Sequence, residues 1–195
     1  MELFRSTKVS NPDFEKTEIL IRGKKVSLRT FILSDISDQF ISWLNDPQVV
    51  KYSNQRFYTH SYETCFQYLQ SFAKPPNLYL AIVDNINSKV YGSITAYRQI
   101  HHDTADIGIL LGDRTVWGQG IGTECYVLLI NYMFNTYNIR KITAGTLRTN
   151  VAMLNIFKKI GMELEAVKKK HEIVDGIAVD ILYFAIYSNQ NENYE

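Results

Sequence analysis

A single α+β domain on a mixed β-sheet flanked by helices is the fold class the sequence predicts. Three observations predict it. Consecutive strand-like segments at 78–83, 90–98 and 105–111 are joined by short polar loops, as in an antiparallel meander. A glycine-rich stretch then opens an amphipathic helix, and a strand, a helix and two more strands follow. The 195 residues suffice for one sizeable core, and no linker, repeat or low-complexity tract divides them. The expected layout is an extension over 1–20, one domain over 21–187 and a polar tail over 188–195.

The elements follow in order. Residues 24–30 alternate, with Val26 and Leu28 apolar, as a half-buried strand does. Ser34 or Asp35 is the expected cap of a helix bearing Ile36, Phe40, Ile41 and Leu44 on one face. Asn45-Asp46-Pro47 ends it, because proline disfavours helical geometry in the residue before it. A second helix is expected over 60–72, with Cys65, Phe66, Leu69 and Phe72 inward, stopped by Lys74-Pro75-Pro76-Asn77. After the meander, Gly118-Gln119-Gly120-Ile121-Gly122 opens a helix reaching about Tyr137, with Tyr126, Leu129, Ile130, Met133 and Phe134 as its stripe. A strand over 140–146 precedes a helix over 150–160, which Gly161 closes. Strands over 163–172 and 177–187 meet at an Asp175-Gly176 turn.

Composition excludes several classes. Hydrophobic residues at 46% and charged residues at 21% describe a folded chain, not a disordered one. A net charge of +1 is no general polyanion binder's signature. The basic run Lys168-Lys169-Lys170-His171 has no aromatic ladder beside it, so no nucleic-acid partner is expected. No apolar stretch reaches membrane-spanning length, and no signal core opens the chain. A cytoplasmic location without membrane attachment is therefore the expectation. Cys65 and Cys125 form no CxxC and are expected as buried thiols. No cluster has metal-ligand spacing.

The main chemical feature is Trp117-Gly118-Gln119-Gly120-Ile121-Gly122-Thr123, between a strand and a helix. Its glycines let backbone amides approach a ligand, and the helix adds unsatisfied N–H groups and a positive dipole end. Together they make an anion site. A nucleotide-hydrolase loop needs a lysine before Thr123, and none is there. A dinucleotide fold puts its glycine loop after the first strand, whereas this one follows several antiparallel strands.

Asp106-Ile107-Gly108-Ile109, then Trp117 through Glu124, then Asn150 followed by Lys159-Ile160-Gly161-Met162 resemble, in order, three motifs of the GCN5-related N-acetyltransferase (GNAT) superfamily. Trp43-Leu44-Asn45-Asp46-Pro47 resembles a hallmark of its ribosomal-protein and amino-sugar acetyltransferase branch. The resemblance implies a mostly antiparallel, splayed sheet and direct transfer of acetyl from acetyl-CoA to an amine. It implies cofactor contacts at Ile109, Leu110, Leu111, Trp117, Gly118, Gln119, Gly120, Ile121, Gly122, Thr123, Asn150 and Phe157. A backbone amide of Leu110 or Leu111 would stabilise the oxyanion. Glu124 is expected to be structural, and Asn150 to cap its helix as well. Arg114 and Arg148 are candidate phosphate partners or solvated side chains. The family's tyrosine that protonates the departing thiolate is replaced by Phe157, which has no proton to give.

Asp106 is the first choice as base, because period-two alternation puts it on the face of Gly108 and Leu110. His101 and His102 are rivals in a polar loop, with His60 and His171 behind them. The resemblance places the acceptor wall at Asn45, Asp46, Tyr52, Asn54 and Arg56, and Tyr97 and Tyr183 are candidates near the centre. The expected acceptor is a small-molecule amine, a nucleotide-linked amino sugar among them. A protein N-terminus is the alternative, and Phe157 leaves open a non-catalytic acyl-CoA-binding protein. Tyr52, Tyr58, Tyr62 and Tyr68, four of the 13 tyrosines, fall in the acceptor half. They point to the acceptor wall or to subunit contacts in a homodimer.

Overall fold

The computed structural model describes residues 18–188. Eight strands form one sheet: β1 (Leu20–Arg22), β2 (Val26–Thr30), β3 (Leu78–Asp84), β4 (Val90–Gln99), β5 (Thr104–Leu111), β6 (Lys141–Leu147), β7 (Glu163–Val174) and β8 (Ile177–Tyr187). Their order is β1-β2-β3-β4-β5-β6-β8-β7. Four helices complete the fold: α1 (Asp38–Leu44), α2 (Tyr62–Gln70), α3 (Ile121–Tyr137) and α4 (Val151–Lys159). The mixed sheet flanked by helices is the architecture the sequence predicts. Every neighbouring strand pair is antiparallel except β5–β6.

That exception makes the site. β5 pairs with β4 along its whole length, from Gln99↔Thr104 to Gly92↔Leu111. It pairs with β6 only through Thr104↔Lys141, Ala105↔Ile142 and Asp106↔Thr143. Beyond Asp106 the two strands part, and residues 107–111 lack a strand on that edge.

Two cores clamp the sheet. On one face α3 and α4 cover Leu28, Ile82, Ile94, Ile107 and Ile142 with Cys125, Tyr126, Leu129, Met133 and Phe157. On the other, α1, α2 and the turn after α2 cover Phe31, Tyr79 and Ala81 with Phe40, Trp43, Cys65, Leu69 and Phe72. Alternation along the strands splits the two sets, since successive side chains face opposite ways. The neighbouring residues Ile109 and Leu110 on β5 join different cores for that reason.

Several boundaries move for local reasons. Neither Ser34 nor Asp35 caps α1. Asp35 is buried and takes two hydrogen bonds from Arg29 at 2.6 and 2.7 Å, plus one from the Ile32 N–H at 2.8 Å. Both lie in a 3-10 turn at Leu33–Asp35, and Ser37 is the cap, accepting from the Phe40 N–H. α2 starts at Tyr62 because Ser61 and Thr64 bond reciprocally around its first turn. β1 was not expected: Leu20 already pairs with Arg29, and Ile19 is in the core. The sheet therefore begins within the expected 1–20 extension, whose residues 1–17 lie outside those described. Of the expected tail only Ser188 is described, and its N–H donates to the Arg140 carbonyl. No described helix is long and apolar enough to cross a membrane.

Candidate active site

A cavity of about 1000 Å³ runs from the N-terminus of α3, along the opened edge of β5, to the segment between α1 and α2. Three kinds of chemistry line it in turn.

The first is an anion cradle. Gly118 and Gly120 have φ of +74° and +83°, which a side chain would strain, and a Cβ on either would project into open space. The first intrahelical bond of α3 runs from the Glu124 N–H to the Gly120 carbonyl at 3.0 Å. The N–H groups of Ile121, Gly122 and Thr123 are thus left at the helix's positive end. A packing contact keeps that end close: a Cβ on Gly122 would lie 3.0 Å from Ile156 of α4. The β1–β2 turn braces the cradle from outside. The Glu124 carboxylate accepts from the Lys24 and Lys25 N–H groups at 2.5 and 2.9 Å. The Lys25 ammonium donates to the Gln119 carbonyl at 2.9 Å, covering a negative pole beside the amides. Sequence reading assigned Glu124 a structural place but gave no sign of Lys25. Their contact spans about a hundred residues, and no local pattern encodes it.

The second is the β5 edge. The N–H and C=O of one strand residue point to one neighbour, and those of the next residue to the other. The Gly108 carbonyl accepts from Thr95 Oγ1 of β4 at 3.3 Å, and the Leu110 carbonyl crowds Gly92 of β4, only 2.0 Å from where a Cβ would sit. The Ala105 carbonyl accepts from Thr143 of β6 at 3.4 Å, and the Leu111 carbonyl from Trp117 Nε1 at 2.8 Å. Residues 107, 109 and 111 therefore turn their polar groups toward the open wedge. Leu110 turns its own into the β4 ladder, which corrects its expected role as an oxyanion donor. Leu111 and Ile109 offer the free N–H groups, and Leu110 contributes its side chain to the wall. The wedge and cradle suit an extended acyl-CoA: backbone for the amide-bearing arm, and helix N–H groups for the pyrophosphate.

The third is a polar, aromatic wall comprising Tyr52, Tyr58, His60, Tyr68, Tyr79, Ser93 and Thr95, with Cys65 beside them. Burial pushes the Cys65 thiol up, against a hydrogen bond involving Thr64, so it is a poor nucleophile. Among the described lining residues none is Asp or Glu, and Lys159 is the only Lys or Arg.

The expected residues divide sharply. Ile109, Leu110, Leu111, Trp117, Gly118, Gly120, Ile121, Gly122, Thr123, Asn150 and Tyr52 line the cavity. Gln119 does not; its amide folds back to the Thr115 carbonyl at 2.8 Å. Phe157 is fully buried between Tyr126 and Phe184, so it is a core residue and not a cofactor contact. Asn150 accepts from the Met153 N–H and donates to Thr146 Oγ1 at 3.0 Å, so its amide caps α4 while its surface meets the cavity.

Most of the expected acceptor wall is frame. Asn45 holds the His60 backbone. Asp46 accepts from the Gln48 N–H at 2.8 Å and pairs with Arg114 at 3.5 Å. Asn54 and Arg56 both reach Glu172 on β7, and Arg56 also donates to the Ile173 carbonyl at 3.3 Å. Tyr97 shares a 2.6 Å hydrogen bond with Tyr68 and borders a second cavity. Tyr183 lies over Gly145, and Arg148 pairs with Asp180 at 2.9 Å.

Asp106 shares the face of Gly108 and Leu110, as alternation requires, yet it opens onto that second cavity of about 230 Å³. Thr143 Oγ1 donates to its carboxylate at 2.7 Å. Crowding raises its pKa while the Thr143 bond opposes the rise, and solvent limits the size because the residue stays exposed. His101 and His102 are exposed in the β4–β5 connection, outside the main cavity. His60, ranked behind them, is on its wall. The described residues contain no group of three or more His, Cys, Asp or Glu placed to hold a metal ion.

Comparison with known proteins agrees with this geometry. The chain is 25% identical over 173 residues to the uncharacterized N-acetyltransferase p20 of Bacillus licheniformis, covering 86% of this chain and 95% of that one. It is 25% identical over 128 residues to the probable N-acetyltransferase YjcK of Bacillus subtilis, covering 65% and 70%. Its fold matches RimL, the ribosomal L7/L12 α-N-protein acetyltransferase crystallised with coenzyme A, at TM-score 0.77 and 17% identity over 87% and 98% of the two chains. The spermidine N-acetyltransferase of Vibrio cholerae, crystallised with CoA and spermine, matches at TM-score 0.76 and 15% identity over 84% and 95%. The family model for the acetyltransferase (GNAT) domain matches residues 25–163, and with most of the chain so covered, the protein belongs to that family.

Proposed function

We propose that the protein transfers the acetyl group of acetyl-CoA to a primary amine on a small molecule, with nucleotide-linked amino sugars the favoured class. Family membership supports acetyl-CoA-dependent acetyltransfer in general. The observation that carries the finer reading is the continuity of one cavity. It joins a backbone anion cradle, an open strand edge and a tyrosine-rich wall without carboxylates among the described residues.

The chemistry asks for little from side chains. The cradle and the β5 edge hold the thioester in line with the amine, and an N–H of Leu111 or Ile109 meets the developing oxyanion. The wall sorts acceptors. Aromatic faces and hydroxyls suit a sugar or a base, whereas a polyamine needs carboxylates. A protein N-terminus needs an open groove, whereas here the segment carrying Tyr52 and Tyr58 is tied to β7 by the Arg56–Glu172 bridge. Kinship with the ribosomal-protein and amino-sugar branch is part of the reading, supported by Trp117, whose indole pins the end of β5.

Free thiol released from acetyl-CoA tests it, with a nucleotide-diphosphate-linked amino sugar, a short peptide with a free N-terminus and spermidine as acceptors. Release is expected to be fastest with the amino sugar. Acetyl-CoA binding without release for any acceptor would instead make the protein a non-catalytic acyl-CoA binder.

A further inference from the structure

His60 has a position that its place in the sequence does not suggest. It lies half-buried on the acceptor side of the cavity, just before the Ser61 cap of α2. The Asn45 side chain grips its backbone from both sides. The His60 N–H donates to Asn45 Oδ1 and Asn45 Nδ2 donates to the His60 carbonyl, both at 2.8 Å. Asn45 Nδ2 also donates to the Ile41 carbonyl at 3.1 Å, which fixes the clamp to the end of α1. The ring is oriented as well, with Nε2 3.4 Å from the Gln55 carbonyl. A carbonyl oxygen can only accept, so this contact puts the proton on Nε2 and leaves the lone pair on Nδ1. When the ring gains a second proton, Nε2–H keeps its acceptor.

We propose that His60 is the general base of the acetyl transfer, removing the proton from the acceptor nitrogen at Nδ1. This rests on the transferase reading above. The amine nitrogen attacks the thioester carbonyl carbon. The C–N bond forms, the C–S bond breaks and its electron pair leaves with sulfur. The nitrogen's extra proton passes to His60 Nδ1 and from there to solvent, while the thiolate takes a proton from solvent.

The competing groups on the wall are poorer bases. Tyr52 and Tyr58 on the same segment, and Tyr68 of α2 and Tyr79 of β3 opposite, are phenols, and burial raises the last two further. Cys65 of α2 is held as a thiol by burial, and Lys159 of α4 is a cation. Asp106 lines the second cavity.

His60→Gln and His60→Asn test the assignment, each checked for an unchanged melting temperature and unchanged acetyl-CoA affinity by calorimetry. With the amino-sugar acceptor, kcat/KM should fall on the order of 10²- to 10⁴-fold, the usual worth of a positioned base. The acid limb of the wild-type pH profile should vanish in both variants and persist in Asp106→Asn. Imidazole ¹⁵N spectra of the wild-type protein should show the Nε2–H tautomer at His60. A wild-type rate and acid limb in His60→Gln, or loss of the limb in Asp106→Asn alone, overturns the assignment and leaves the transferase reading standing. Absence of amine-dependent thiol release in the wild type overturns both.

Discussion

At the residue scale, single side chains set the shape of the backbone that binds. Asp113 shows how. It caps the 3-10 turn at Arg114–Val116, just before the glycine loop, accepting from the Thr115 N–H at 3.0 Å and from Thr115 Oγ1 at 2.6 Å. Lys89 Nζ reaches it at 2.5 Å. Burial favours the protonated acid, but the Lys89 and Thr115 bonds outweigh it and hold the carboxyl below its usual range. The unfolded chain therefore binds the proton first as pH falls. The stabilisation is complete above the ordinary carboxylate range and disappears as pH drops through the lower native value. Urea titrations of the wild type and Asp113→Asn should show a clear gap in midpoint at pH 7 that narrows toward pH 3. A gap of constant size would mean that Asp113 acts by shape and not by charge.

At the element scale, the β1–β2 turn is a brace for the N-terminus of α3. Glu124 accepts two main-chain N–H groups from that turn, and Gly23 leaves room for it: a Cβ there would lie 2.4 Å from Glu124 Oε1. Glu124→Ala leaves two donors without their acceptor. The expected cost is about 1–3 kcal/mol, since hydrogen bonds to a charged group exceed neutral ones but these donors can reach water. Because Lys25 rides on the same turn and holds the Gln119 carbonyl, acetyl-CoA affinity should fall too. Calorimetry with acetyl-CoA checks this, and unchanged affinity in a destabilised Glu124→Ala would separate the brace from the cradle. A gap between strands does what no side chain does here: by ending its pairing with β6 at Asp106, β5 frees backbone groups for a ligand.

At the scale of the whole molecule, parts far apart in the chain meet beside the segment between α1 and α2. Arg56, between α1 and α2, meets Glu172 on β7 at 3.2 Å, and both side chains are largely covered. Breaking this bridge should loosen the wall without touching the cradle. Arg56→Gln is expected to raise the acceptor KM several-fold and leave the acetyl-CoA dissociation constant unchanged. Steady-state kinetics with each substrate varied in turn measures both, and a matching loss for acetyl-CoA would show that the bridge holds the whole cavity.

The sequence by itself determined the order of the helices and of every strand but β1, and the glycine loop that opens α3. These are local or periodic properties: alternation, caps and glycines at left-handed positions. Eleven of the expected site residues, from Ile109 to Asn150 with Tyr52, line the cavity for that reason. Only the tertiary structure decided which residues of the acceptor half face the ligand. Asn45, Asp46, Asn54 and Arg56 have polar side chains suited to a substrate, yet each is occupied by a partner in the fold. Phe157 matched a family position yet points into the core, and His60 reached the cavity through a clamp fifteen residues away. Leu110 and Leu111 are indistinguishable as residue types, and only strand pairing shows which one turns its amide outward. Sequence pattern reports which groups are present. Which of them remain unpaired at the site depends on long-range contacts, and it is the unpaired groups that do chemistry.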